Sequence, residues 1–248
     1  MGFADLHIHS IYSWDGTATI SAILNYTVTK TKLNVIAITD HDEVAGALYA
    51  EEIAPRYGIQ VVPGSEVSTA EGHLLALFIR EKIPAGMPLI ETVRHVQKLG
   101  GLCIAAHPMA NGSSSLSAES IRNALKHADV AQTLVGIEAV NAGLFHQSSN
   151  FLATALAHTL RVAPVASSDS HILETIGFGM TEFQGTTAAE LRQALETRQT
   201  KAIIHHQATP FLVVPAWLRF FLLKQAGWVQ WTPHPRQPIR LGRAGLVI

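Results

Sequence analysis

The 248-residue sequence has a single cysteine, Cys103, so no intramolecular disulfide can hold the fold together. It also has no run of Lys or Arg. Eighteen basic residues face nineteen acidic ones, for a formal net charge of −1. The electrostatic footprint of a nucleic-acid or membrane-surface protein is therefore missing. Charged residues make up only 15% of the chain and apolar ones 48%, which excludes a disordered chain and suits a large buried core. No basic region followed by an apolar run opens the sequence, and no apolar run reaches the ~20 residues that span a bilayer. A soluble cytoplasmic protein is expected.

Histidine is what the chain has in excess, with thirteen copies. The first of them organise the rest. In Ala4-Asp5-Leu6-His7-Ile8-His9-Ser10 the polar residues alternate with apolar ones, the period of a strand. His7 and His9 then project to one side, where two neutral imidazoles can hold one divalent metal. A lone His-x-His is weak evidence, and its weight depends on what the remaining chain brings to the same place.

Short apolar runs alternate with helical ones along the chain. Helices are expected at Ile20–Lys32, Val44–Tyr57, Leu89–Leu99, Ala118–Ala128, Ser148–Leu160 and Ala188–Arg198. Strands are expected at Asn34–Thr39, Ile59–Pro63, His73–Phe78, Leu102–Ala106, Gly136–Val140, Val162–Ala166 and Lys201–Ile204. Repeated βα units of continuously apolar strands indicate a parallel sheet covered on both faces. Seven or eight units without a break in composition suggest a closed βα barrel, whose functional groups gather at the carboxyl ends of its strands. His7, His9, His41, Glu66, His107, Asp169 and His171 all lie at such ends.

Read alone, each is ambiguous. His41 suits a turn or helix cap, and Glu66 a solvated loop. His107 is harder to explain blandly, because an imidazole closing a buried strand needs a partner. His95, His127 and His158 fall within helices and read as surface or packing residues, while His146 and His234 have no supporting pattern. His205 and His206 end the last strand and are weaker candidates; Cys103 reads as a small buried hydrophobe.

Taken in order, Asp5-Leu6-His7-Ile8-His9-Ser10, Thr39-Asp40-His41-Asp42, Gly64-Ser65-Glu66, Ala106-His107-Pro108 and Ser168-Asp169-Ser170-His171 resemble the motifs of the polymerase and histidinol phosphatase (PHP) family. The resemblance runs from about Phe3 to Ile204. It implies a distorted (βα)7 TIM-like barrel carrying two or three divalent ions that hydrolyse phosphate esters. His7, His9, Glu66 and Asp169 would hold the first ion. Glu66 would bridge to a second, also held by His73 and His107, and Asp15, His41 and His171 would hold a third. His73 enters through its resemblance to the family's His-led apolar strand, and Asp15 through the family's Asp-Gly; without the resemblance Asp15 reads as a turn residue.

Imidazole and carboxylate ligands suit Zn, Mn or Fe rather than Ca. Such ions lower the pKa of bound water from near 16 to roughly 7 and clamp phosphate oxygens. Asp169 would take part directly, and His41 or His171 could protonate the leaving alkoxide. Two departures from the family pattern bear on the substrate. No cation follows His107-Pro108, where Met109-Ala110-Asn111-Gly112 stands instead, and no capping insertion lies between Ala70 and His107. Arg122, Lys126 and Ser113-Ser114-Ser115 are substitute phosphate contacts, although a solvated loop and helix face is the simpler account. Glu138 and Asn141 also end a strand, where a structural role and a part in shaping the site are equally plausible.

Residues 1–206 would form the barrel and 207–248 an extension. The apolar stretch Phe211–Leu223, interrupted by Pro215 and Arg219, reads as a helix on the barrel or a contact between copies of the chain, and Trp231–Ile248 as an extended tail. The leading expectation is a metal-dependent phosphoesterase acting on a small phosphorylated molecule such as a nucleotide or histidinol phosphate. Neither nucleic acid nor membrane is an expected partner. An exonuclease and a non-catalytic metal-binding module are the alternatives.

Overall fold

The computed structural model describes residues 1–111, 114–144 and 146–227. Ser113, His234 and the Trp231–Ile248 segment lie outside the described residues. In chain order the elements are β1 (Gly2–Asp5), α1 (Ile20–Lys30), β2 (Val35–Ile38), α2 (Ala45–Ile53), β3 (Gln60–Ser68) and β4 (His73–Leu77). Then come α3 (Leu89–Lys98), β5 (Leu102–Ala105), α4 (Ala118–Leu125), α5 (Ala128–Ala131), β6 (Leu134–Asn141) and α6 (Gln147–Leu160). The chain continues through β7 (Ala163–Ser167), β8 (Gly179–Phe183), α7 (Ala188–Glu196), β9 (Thr200–Ile204) and α8 (Pro210–Gln225).

Among the described residues the strands form one nine-stranded sheet in the order β7-β6-β5-β4-β3-β2-β1-β8-β9. Pairing makes β1, β2, β3, β5, β6, β7 and β9 run one way, while β4 and β8 run the other. The sheet curls until its ends meet. Ile8 bridges to Ser170, the Ser168 N–H donates to Asp5 Oδ1 at 3.0 Å, and Thr200 Oγ1 donates to the Pro164 carbonyl at 2.9 Å. The result is the distorted barrel that the strand pattern implies.

Two features correct the all-parallel reading. The strands β3 and β4 form a hairpin, closed where Thr69 N and Oγ1 both donate to the Gly72 carbonyl. The antiparallel strand β8 had no expected counterpart, because Gly179-Met180-Thr181-Glu182-Phe183 lacks a continuous apolar run. Its buried Thr181 supplies a backbone-like partner, accepting from Ala166 N at 3.0 Å and donating to the Ala166 carbonyl at 2.9 Å.

Alternation along the strands builds the core on both faces. Val35 and Ala37 join Leu6, Val62, Leu75, Ile104 and Val165 inside the barrel, while Ile36 and Ile38 point outward to pack with Ile23, Leu24 and Ala47 of α1 and α2. Cys103 is buried in a third apolar cluster, where desolvation pushes its thiol pKa up, so it is not a ready nucleophile. Among the described residues no helix is long and apolar enough to cross a membrane.

Candidate metal centre

Strands running one way end on one rim, and buried carboxylates fix how each chain leaves that rim. Asp40 accepts from Ser10 N at 2.6 Å and Ser10 Oγ at 2.8 Å, tying the segment after β1 to the end of β2. Asp5 accepts from Ser168 N and, at 2.9 Å, from Gly177 N, tying β1 to the exit of β7. Asp42 similarly accepts from Ser68 N and Oγ. Burial raises the pKa of Asp5 to about 6 and of Asp40 to about 7 against these hydrogen bonds, which favour the ionised forms. The acidic residues flanking the imidazoles thus work as struts. Both His107 (φ 26°) and Asp169 (φ 51°) leave their strands in left-handed backbone conformations, an uncommon geometry that turns the side chain away from the strand's alternation.

The deep part of the site centres on Glu66. Its Oε2 lies 3.1 Å from His7 Nε2, 3.4 Å from His9 Nε2 and 3.2 Å from His41 Nδ1. Its Oε1 lies 2.9 Å from both His73 Nδ1 and His107 Nε2. Asp169 Oδ1 completes this group at 3.4 Å from His7 Nε2 and 3.3 Å from His9 Nε2. The outer part centres on Asp15, whose Oδ2 lies 3.3 Å from His41 Nε2 and 3.1 Å from His171 Nε2. Gly16 makes this loop possible, because a Cβ there would collide with the Ser10 carbonyl.

Among the described residues His7 Nε2, both ring nitrogens of His9 and His73 Nδ1 are buried without a hydrogen-bond partner, although carboxylate oxygens stand within 3.4 Å of His7 Nε2, His9 Nε2 and His73 Nδ1. A buried polar atom left unpaired is unfavourable by about 1–3 kcal/mol. Close but misaligned lone pairs that converge on one space are what a cation would satisfy. Among the described residues, ligand atoms within 4.8 Å of one another fall into four overlapping groups: His9, Asp15, His41 and His171; His7, His9 and Glu66; His7, His107 and Asp169; and His41, Glu66 and His73. The residues present fit divalent metal ions.

A family model described as PHP-associated matches residues 147–200. An uncharacterised protein of Methanocaldococcus jannaschii is 40% identical over 116 residues, 42% of this chain and 67% of that protein. The chain belongs to the PHP family. A 5'-3' exoribonuclease of Haemophilus influenzae is 25% identical to this PHP chain over 231 residues, 90% of this chain and 75% of that protein. The crystal structure of a Bifidobacterium adolescentis protein, proposed to be a metal-dependent phosphoesterase, aligns with a TM-score of 0.59 at 18% identity. It covers 79% of this chain and 96% of its own.

The partners behind the rings of this PHP chain are those a metal ligand uses to fix its tautomer. His7 Nδ1 lies 3.0 Å from Glu138 Oε1, His107 Nδ1 lies 3.0 Å from Ser115 Oγ, and His171 Nδ1 donates to the Asp169 carbonyl at 2.9 Å. Burial opposes charge on His7 and His171, yet Asp169, Glu66 and Glu138 push His7 well above its usual range, and Asp15 with Asp169 raises His171 to about 9. Burial and the neighbouring His171 lower His9 to about 4. Despite burial, His7 and His41 hold Glu66 well below the ordinary carboxylate range.

All nine residues named from the family motifs come together here: His7, His9, Asp15, His41, Glu66, His73, His107, Asp169 and His171. His205 and His206 do not; they line a separate cleft with Tyr26, Lys30 and Lys32. Arg122 and Lys126 are exposed, and Lys126 donates to Asn123 Oδ1. Glu138 and Asn141 are fully buried in the site. Glu138 Oε2 accepts from His107 N at 2.7 Å and from Asn141 Nδ2 at 3.1 Å, and Asn141 Nδ2 also reaches Asp169 Oδ2 at 3.3 Å. His146, which no sequence pattern supports, puts Nε2 3.2 Å from Asp169 Oδ2 and stacks on the His107 ring at 4.7 Å. Its approach depends on the β6–α6 loop, whose path no local periodicity announces.

Proposed function

We propose that this PHP-family chain is a metal-dependent phosphoesterase that hydrolyses a phosphate ester on a small phosphorylated molecule, a nucleotide or a histidinol-phosphate-like compound. One observation carries the reading. Both oxygens of the buried Glu66 are shared among five imidazoles from four separate segments of the chain, with a second carboxylate-imidazole group, Asp15, His41 and His171, sharing His41 with it. Such a set would hold two or three ions, with Zn, Mn or Fe the best match to nitrogen and oxygen donors. When bound, the ions lower the pKa of coordinated water and neutralise charge developing on phosphate.

The chain's own groups do the rest. Glu66 would bridge two ions, with His7, His9 and Asp169 on one side and His73 and His107 on the other. Asp15, His41 and His171 would hold a third. Glu138 fixes the His7 ring and the His107 backbone. Asn141 and His146 hold Asp169 Oδ2, so that Oδ1 faces His7 and His9. The His171 Nδ1–H bond to the Asp169 carbonyl leaves Nε2 toward Asp15, either to hold the third ion or, without that ion, to pass a proton to a leaving alkoxide.

The test is phosphate release by the metal-loaded protein across mononucleotides, nucleotide bisphosphates, histidinol phosphate and a short oligonucleotide, with Asp169→Ala as control. Turnover lost in the variant is the expected result; silence from a protein shown to hold its metals overturns the reading and favours a binding module. The Haemophilus influenzae relative, matched over 90% of this chain, supports a second reading, an exonuclease on RNA, for which the oligonucleotide would be the preferred substrate.

A further inference from the structure

Two indole rings stand on the outer group, and the metal-ligand set uses neither. The Trp14 ring lies nearly parallel to that of His41, with 6.0 Å between centroids and 19° between planes, and Trp14 is 68% exposed. Trp217 of α8 meets His171 edge-on at 6.1 Å, and its Nε1–H donates to the Asp15 carbonyl at 3.2 Å. Both are therefore anchored to Asp15, one through the chain and one through a hydrogen bond. They stand beside the two imidazoles that flank its carboxylate. Trp14 leaves most of its large apolar surface in water beside a polar site, which contributes nothing to folding. Meanwhile the cluster carboxylates have only imidazoles as ion-pair partners among the described residues. Among the described residues no guanidinium or ammonium pairs with those carboxylates, so recognition can draw on the rest of the substrate as well.

We propose that Trp14 is a stacking platform for a planar heterocycle of the substrate, a nucleobase, with Trp217 forming a second wall of the same subsite. The proposal rests on the phosphoesterase reading and narrows its substrate to nucleotides, whether free or at the end of a strand. Every base has a π face, so the subsite selects for a ring and not for one base. A sugar phosphate without a base loses the contact altogether.

Calorimetric titration of the metal-loaded chain with the methylenephosphonate analogues of adenosine 5'-monophosphate and ribose 5-phosphate tests it, since neither can be hydrolysed at the C–P bond. Stacking of about 1–3 kcal/mol per base corresponds to roughly 5- to 150-fold tighter binding of the nucleoside analogue. That ratio should collapse toward one in Trp14→Ala, persist largely in Trp14→Phe, and fall partly in Trp217→Leu. Equal affinities in the wild type, a ratio unchanged in Trp14→Ala, or no binding of either analogue would each overturn the proposal. Its failure is separable from that of the hydrolase. Equal turnover of nucleotides and sugar phosphates sinks the platform alone, whereas ring-dependent binding without phosphate release sinks only the hydrolase.

Discussion

His7, His9 and Glu66 have side chains at most 1% exposed, whereas those of His41, His73 and His171 are 14 to 20% exposed, although all six stand on one rim. The difference follows from what lies behind each ring. The His7 ring is backed by Glu138 of β6, and the His107 ring by Ser115 of the loop between β5 and α4. The Asp15 loop is backed mainly by Ser13, whose Oγ donates to Asp15 Oδ1 at 2.6 Å, and by the α8 indole. The deep half is held by strand ends with buried partners behind them and its geometry is pre-organised; the outer half is a loop-borne and more exposed rim.

Removing the element the halves share should have the largest effect. Glu66→Gln keeps the volume but leaves one amide nitrogen among imidazoles, so both halves should lose metal. Turnover should fall by more than the 10- to 100-fold typical of changes behind the ligands, as read by metal content and phosphate release together. Loss of metal from only one half would show that Glu66 does not join them.

Next in size, Glu138→Gln and Asp15→Asn should separate the halves. Glu138 touches His7 and the His107 backbone, so its substitution should weaken metal binding about 10- to 100-fold in the deep half. Asp15→Asn should lower metal stoichiometry while leaving the deep ions in place. Elemental analysis after dialysis distinguishes the two outcomes, and identical metal loss in both variants would erase the distinction drawn here.

The two halves were not equally legible in sequence. The deep candidate ligands end apolar strands whose period is readable, so His7, His9, Glu66 and His107 follow from pattern plus the strand-end rule. Asp15 sits in a turn-like Ser13-Trp14-Asp15-Gly16 and emerges only through family resemblance. The direction of β4 was invisible, because an apolar run reads the same whether it ascends or descends. The Glu138 contact to His7 spans 131 residues of sequence, and that of His146 depends on a loop, so neither leaves a local trace. The struts Asp5 and Asp40 were visible as motif letters, but their task, accepting backbone and hydroxyl hydrogens across strands, belongs to the closed barrel alone.

Protonation gives a subtler test on the metal-free chain. The folded pKa of His171 is raised to about 9 by Asp15 and Asp169 acting against burial, above the unfolded value near 6.5. The folded state therefore binds this proton more tightly. The stabilisation is fully present below pH 6.5 and is lost as pH rises through 9. The melting temperature of the metal-free protein should fall across that window, and less steeply in His171→Asn. Metal must displace the same proton from Nε2, so loading of the outer group should strengthen as pH rises over the same range. A melting temperature that climbs from pH 6.5 to 9 would contradict the assignment.

The smallest expected effect lies where the outer half meets α8. Trp217→Phe keeps the ring beside His171 and removes only the N–H donated to the Asp15 carbonyl. One neutral hydrogen bond contributes about 1 kcal/mol, which in a domain of this size is a shift of about 2–4 °C in melting temperature. The exposed α8 residue Leu218, at 58%, provides the reference, since Leu218→Ser should stay within about 0.5 kcal/mol. If α8 merely lay against the barrel, the two substitutions would act alike. A drop confined to Trp217→Phe, accompanied by weaker metal retention at Asp15, would make α8 part of the outer half. The more open side of the site would then owe its shape to a helix beyond the last strand, and the deep side to the strand ends and the loops that follow them.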